Sequence, residues 1–234
     1  MRIARPAWIV LTALVLAAAL ESLFARHPIA REDLPWTKLD LRAPVGLSTG
    51  GKIAALADDP RLCRVLLETA KVEFRSVPDR HEGPACGWSG AVRFVSPARP
   101  QVVLACPLAA AFEVWMREIV QPAAIELLGS RVTRVEDFGS YACRSIRGGG
   151  AGGWSQHASA NAIDVAGFQL SDGRRITVAH DWSNGVRGRF LRSIRDDGCR
   201  LFATTLSPDY NAAHHDHLHL DEAKRDKFGW RVCA

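Results

Sequence analysis

Short stretches of alternating side chains interleave with amphipathic helical stretches in no strict strand-helix-strand order. That mixture predicts an α+β fold with a mainly antiparallel central sheet, flanking helices and one N-terminal apolar helix. Two further observations frame it. The chain has 234 residues, room for one domain of about 200 residues with a buried core plus an extra segment. Its apolar fraction of 47% and charged fraction of 24% are ordinary for a globular protein.

Arg2 and Arg5 precede an uncharged apolar run over residues 6–20, the layout of a signal sequence. The run is shorter than the ~20 residues of a full membrane span, which is reached only if Glu21 and Ser22 are tolerated before Leu23. Residues 1–25 therefore read as a signal sequence cleaved after Ala19 or as an uncleaved membrane anchor. Either way the basic residues before the run place the remainder outside the cytoplasm. Residues 26–50 carry Pro28, Pro35 and Pro44 without periodicity and read as an extended linker to a domain over 51–234.

Within that domain Asp59-Pro60 starts a helix, with Asp as N-cap, Pro at the first position, and Leu62, Val65 and Leu66 on one side. Residues 72–77 alternate as a strand, followed by a loop up to Gly87. Residues 91–95 and 101–105 are strand candidates close enough for a hairpin. A longer helix begins after Pro107, with Phe112, Trp115 and Ile119 as a core stripe, a kink at Pro122 and an end at Gly129. Residues 132–138 form the next strand. The glycines between 148 and 153 lack the Lys-Ser/Thr of a phosphate-binding loop and read as a mobile flap. Residues 162–168 alternate as a strand, an Asp172-Gly173 turn leads to a partner over 175–178, and a helix over 186–197 turns Phe190, Leu191 and Ile194 inward, capped by Gly198. Residues 201–205 and 216–220 supply the last strands.

The chain has six cysteines, an even number with no C-x-x-C pair. Zinc-finger spacing is excluded, and in an exported protein up to three disulfides is the natural reading, with connectivity open. A nucleophilic role for Cys143 is disfavoured because five other thiols compete to oxidise it. The net charge of +5 comes from scattered arginines without a basic run interleaved with aromatics. Nucleic acid is therefore not the expected partner, and an anionic polymer such as cell wall, or anionic lipid, accounts for the charge equally well.

Chemistry concentrates in two segments. Ser155-Gln156-His157 through Asp164 is answered by His214-His215-Asp216-His217-Leu218-His219-Leu220-Asp221, and together they hold five of the chain's eight histidines. Three N/O donors from these segments would make a catalytic zinc site, which keeps its fourth position for water. His217 and His219 share one strand face. His157 and Asp164 are seven apart, so a turn through the small residues 158–161 must separate them. His214 or His215 joining as a fourth ligand would close the site and favour a structural metal.

Ser-x-His-x6-Asp followed by His-x-His resembles the signature of the LAS metallopeptidases, which include lysostaphin-type enzymes, D-Ala-D-Ala peptidases and murein endopeptidase. More closely, the run from Pro35-Trp36 through Gly139-Ser140-Tyr141-Ala142-Cys143-Arg144 to Asp216-His217-Leu218-His219-Leu220-Asp221 resembles the bacterial extensin-like C-terminal domain family, over roughly residues 35–234. The resemblance implies a LAS/hedgehog-like core, zinc held by His157, Asp164 and His219, His217 as the catalytic histidine, with Asp216 its rival as base, and Arg144 contacting substrate. It also implies a periplasmic zinc peptidase acting on peptidoglycan peptides, anchored to the inner membrane by its N-terminal segment. Where the peptidases commonly have glycine, this chain has Ala160, so the turn is not expected to use a positive φ there. The alternative function is a cell-wall-binding or scaffold domain with structural zinc or none.

Overall fold

The computed structural model describes residues 5–26, 29–146, 153–225 and 231–234. Helix α1 (Arg5–Arg26) covers the apolar N-terminal run. No helix among the described residues is long and apolar enough to cross a membrane. The segment before α2 (Thr49–Ala54) is irregular apart from a 3-10 turn at Arg31–Asp33, yet Leu41 is buried in the main core. Helix α3 (Pro60–Thr69) starts at the expected cap, Asp59 accepting the Leu62 N–H at 2.9 Å. Its inward face is not the expected one: Cys63 and Leu67 are buried, whereas Leu62 and Val65 are 45% and 48% exposed. The Cys63–Cys106 disulfide pulls that side of the helix toward the next one.

Strand β1 (Phe74–Ser76) lies inside the expected 72–77. The stretch read as loop instead contains β2 (Arg80–His81) and β3 (Gly87–Trp88), a small antiparallel hairpin. Gly87, at φ 115°, permits it, because a Cβ there would run into the Arg80 carbonyl. Strand β4 (Val92–Phe94) pairs with β1 rather than in a hairpin with 101–105, which contributes a single bridge, Val92 to Leu104. Pro100 before it and a helix opening at Cys106 leave too little chain for a second strand.

Helix α4 (Cys106–Trp115) continues through a π-helical turn, Met116–Val120, into α5 (Gln121–Leu128). The wide turn sits just before Pro122, whose ring would otherwise crowd the carbonyl one turn back. Gly129 ends the run at φ 66°. Then follow β5 (Val132–Asp137), β6 (Ala162–Leu170), β7 (Arg175–Thr177), α6 (Val178–Asp181), α7 (Gly185–Gly198), β8 (Thr204–Leu206), β9 (Leu218–Asp221) and β10 (Val232–Cys233). Gly198 lies inside α7 rather than beyond it, and Cys199 is the cap.

The main sheet has six strands in the order β10-β8-β9-β6-β5, with β7 on β6 beyond the end of β9. Only the β10–β8 pair is parallel. Ile163 and Val165 point into the core, as do Phe168 and Leu170, although strict alternation would put the two pairs on opposite faces. A register shift between the Glu136–Gly167 and Asp137–Val165 pairs skips Ala166 and restores the match. Trp115 fills the space between sheet and α7: its ring lies 6.1 Å from Phe168 and 6.0 Å from Phe202, and its N–H reaches the Ile194 carbonyl at 2.9 Å. The six cysteines pair as Cys63–Cys106, Cys86–Cys143 and Cys199–Cys233. The expected disulfide framework is therefore formed, and Cys143 is not a thiol.

Candidate metal centre

Two neighbouring strands and one turn build the site. Asp164 on β6 and His219 on β9 are register partners, so their side chains leave the sheet side by side. His157 reaches them from a 3-10 turn, Gln156–Ser159, that precedes β6. Ser155 caps the turn, accepting the His157 N–H, and Ala160 closes it at φ 53°. The expectation for Ala160 is overturned, since alanine does occupy the left-handed region here. Its carbonyl accepts from Ala105 and its N–H donates to His157, so contacts on both sides hold the conformation.

The donor atoms converge. His157 Nε2 lies 3.2 Å from Asp164 Oδ1 and 3.2 Å from His219 Nδ1, which is 3.0 Å from the same Asp164 oxygen. Three electron-pair donors in contact repel unless something positive sits among them. Tetrahedral zinc ligands at ~2.0–2.1 Å stand about 3.3 Å from one another, a few tenths of an ångström beyond this spacing. Outside the triangle each imidazole has its second nitrogen occupied. His157 Nδ1–H donates to the Ser140 carbonyl at 3.1 Å, and His219 Nε2–H to Asp221 Oδ2 at 3.1 Å. In the neutral rings these acceptors select the tautomers in which His157 Nε2 and His219 Nδ1 face inward as the free donors, His219 once it gives up its second proton. The donor set fits zinc.

Electrostatics agree with a place for positive charge. Burial works against ionisation of Asp164, but the two imidazoles outweigh it and hold its carboxyl well below the ordinary range. Burial likewise opposes charge on His219, and Asp164 with Asp221 overcome it, raising the ring to about 9.

His217 stands beside this triangle without entering it, its Nε2 3.5 Å from Asp164 Oδ1. Asp216 accepts its Nδ1–H at 2.8 Å from behind, which leaves Nε2 aimed at the site. His214 packs against His217 at a tilt of 48°, with ring centroids 5.2 Å apart, and gives its Nδ1–H to Asn211 at 2.8 Å. Burial, then the neighbouring His217 and His219, push its ring down to about 4. His215 is exposed, and neither it nor His214 belongs to the donor group. Arg144 is exposed, close enough for its charge to be felt at His214, and its carbonyl accepts from Ser155. The glycine stretch read as a flap falls largely outside the described residues.

Sequence reasoning missed three contributors. Asp221 could have been found, since it lies two after His219 and shares its strand face. The Ser140 carbonyl could not, because backbone acceptors leave no signature. Phe138, which meets the His217 ring edge-on at 5.8 Å, reads from sequence as the end of a strand.

No curated protein and no solved structure matches the chain. A family model described as "Extensin-like protein C-terminus" matches residues 61–234, which takes in the two opposed strands, the turn and every residue of the donor triangle. On that coverage the chain belongs to the extensin-like C-terminal family.

Proposed function

We propose that the protein is a zinc-dependent peptidase that hydrolyses peptide bonds in peptidoglycan stem peptides or cross-links. The turn and strands around the donor triangle are read as a LAS-type core. The protein would act in the periplasm, exported and held at the inner membrane through residues 1–25. One observation carries this reading: three inward-facing donors, His157 Nε2, Asp164 Oδ1 and His219 Nδ1, lie within 3.2 Å of one another with both imidazole tautomers fixed from outside.

His157, Asp164 and His219 would hold the ion. When bound there, zinc polarises a carbonyl and lowers the pKa of water. His217, oriented by Asp216, accepts the proton of the attacking water at Nε2 and returns it to the leaving amine. Arg144 pairs with a substrate carbonyl or carboxylate through its planar fork. His214, kept neutral, adds no charge to compete with the metal.

The test is digestion of purified muropeptides by the zinc-loaded full-length protein, with products identified by mass. New peptide fragments that vanish with His217→Ala are expected. Intact substrate in the presence of stoichiometric zinc would leave wall binding without cleavage as the function.

A further inference from the structure

Four rings run without a break across the mouth of the metal centre. Phe138 meets His217 at 5.8 Å, His217 meets His214 at 5.2 Å, and His214 meets Tyr210 at 5.5 Å, each measured between centroids. The two inner rings are the histidines beside the donor triangle, His214 also lying 5.9 Å from the His219 ring. The two outer rings are largely in solvent, Phe138 at 61% and Tyr210 at 49% exposure. They come from different parts of the chain, Phe138 from the end of β5 and Tyr210 from the loop between β8 and β9. Two large rings exposed on opposite sides of His217, joined by the histidine rings between them, offer a bound chain continuous ring surface to cover.

Followed from ring to ring, Phe138 is one step from His217 and Tyr210 is two steps away on its other side, through His214, each step between 5.2 and 5.8 Å. A substrate lying along the run meets His217 between its ends, not at one end. Among the described residues no cation stands over Phe138 or Tyr210. Removal of a terminal residue calls for a fixed positive group to hold the free carboxylate at one end of the cleft.

We infer that Phe138 and Tyr210 are specificity-determining residues that grip the peptide on both sides of the cleaved bond. The protein would then cut inside a peptide chain, as at a cross-link, and not trim a terminal residue. This rests on the peptidase reading and narrows it. Phe138 covers aliphatic side chains or methyl groups on one side of the bond, and Tyr210 does so on the other.

The experiment compares a cross-linked muropeptide dimer with an uncross-linked pentapeptide monomer, using zinc-loaded full-length protein. The dimer is expected to be cleaved with a kcat/KM at least about tenfold higher, and Phe138→Ala or Tyr210→Ala to raise KM for the dimer about tenfold with kcat little changed. Tyr210→Phe, which keeps the ring, recovers most of that loss. Equal cleavage of monomer and dimer, or a KM that neither alanine moves, overturns the inference and leaves the peptidase reading standing. No cleavage of either substrate by zinc-loaded protein counts against the peptidase reading instead. Calorimetric binding of the dimer to metal-stripped protein then decides the platforms alone: affinity lost in both alanine variants supports them, and affinity unchanged removes them.

Discussion

Replacing Asp221 by asparagine removes the carboxylate behind His219, a proposed metal ligand, without altering the donor triangle itself. The Asp221 carboxylate serves two donors, His219 Nε2–H at 3.1 Å through one oxygen and the Ala223 N–H at 3.0 Å through the other. Its side chain is 7% exposed, so water does not replace what is lost. Asparagine has one acceptor oxygen for these two donors and no charge. Either His219 loses its partner and its preferred tautomer, or Ala223 is left with an unpaired N–H. Loss of such an outer partner typically weakens metal binding ~10–100-fold, about 1.4–2.7 kcal/mol. The assay is competition for zinc against a chromophoric chelator at neutral pH. Asp216→Asn is the matched control, the same chemical change behind a histidine that is not a ligand, and should shift zinc affinity by less than about threefold. An Asp221→Asn protein that binds zinc as tightly as the parent, or an Asp216→Asn protein that loses as much, would refute the assignment of His219 Nδ1 as the ligand atom.

Three more outcomes are expected. His217→Ala should keep its zinc yet lose ~10²–10⁴ in kcat on muropeptides, and Asp216→Asn less than about tenfold, because Asp216 touches only the far nitrogen of His217; the reverse ranking would make Asp216 the base. In the metal-free chain the His219 pKa is raised from 6.5 to about 9, so its contribution, at most about 3 kcal/mol and shared with Asp164, is whole below pH ~6.5 and lost as pH rises through ~9. Thermal melts of metal-free protein should therefore fall between those pH values, while zinc affinity climbs over the same range as the competing proton leaves; a rising melt would contradict the sign. Each disulfide closes a loop of 34 to 57 residues and stabilises by about 4 kcal/mol in the chain-entropy picture. Mild reduction followed by alkylation and mass mapping should open Cys86–Cys143, whose Cys143 is exposed, well before Cys63–Cys106, buried at 0% and 1%.

What could be read from the chain depended on how local its cause was. The Asp59 cap, the start of β6 at Ala162 and the Gly129 stop are each set by a few neighbouring residues, and each stands where expected. The hairpin of β2 and β3 was invisible because two-residue strands have no period, and its Gly87 looked like one more loop glycine. Six cysteines foretold three disulfides, but which cysteines meet is decided by the packing of α3 on α4 and of the hairpin on the segment after β5, facts of topology. The bulge at Ala166 belongs to the same class, since only the pairing with β5 exposes it.

The candidate metal centre divides along that line. His157, Asp164 and His219 are restricted by chemistry to a few residue types, and two of them lie on strands whose faces can be counted, so a motif finds them. Asp221 obeys the same strand parity as His219 and was legible in the same way. Phe138 and Tyr210 obey nothing of the kind. Many side chains could occupy those places, and aromatic residues near the end of a strand or in a loop read as core until their exposure is known. Phe138 reaches His217 because β5 and β9 flank β6 on opposite sides, so the end of one strand and the start of the other converge over Asp164. Asp164, His219 and Phe138 are thus placed by the same three strands, while His157 comes from a turn and Tyr210 from a loop, and only the donor triangle leaves a pattern in the chain.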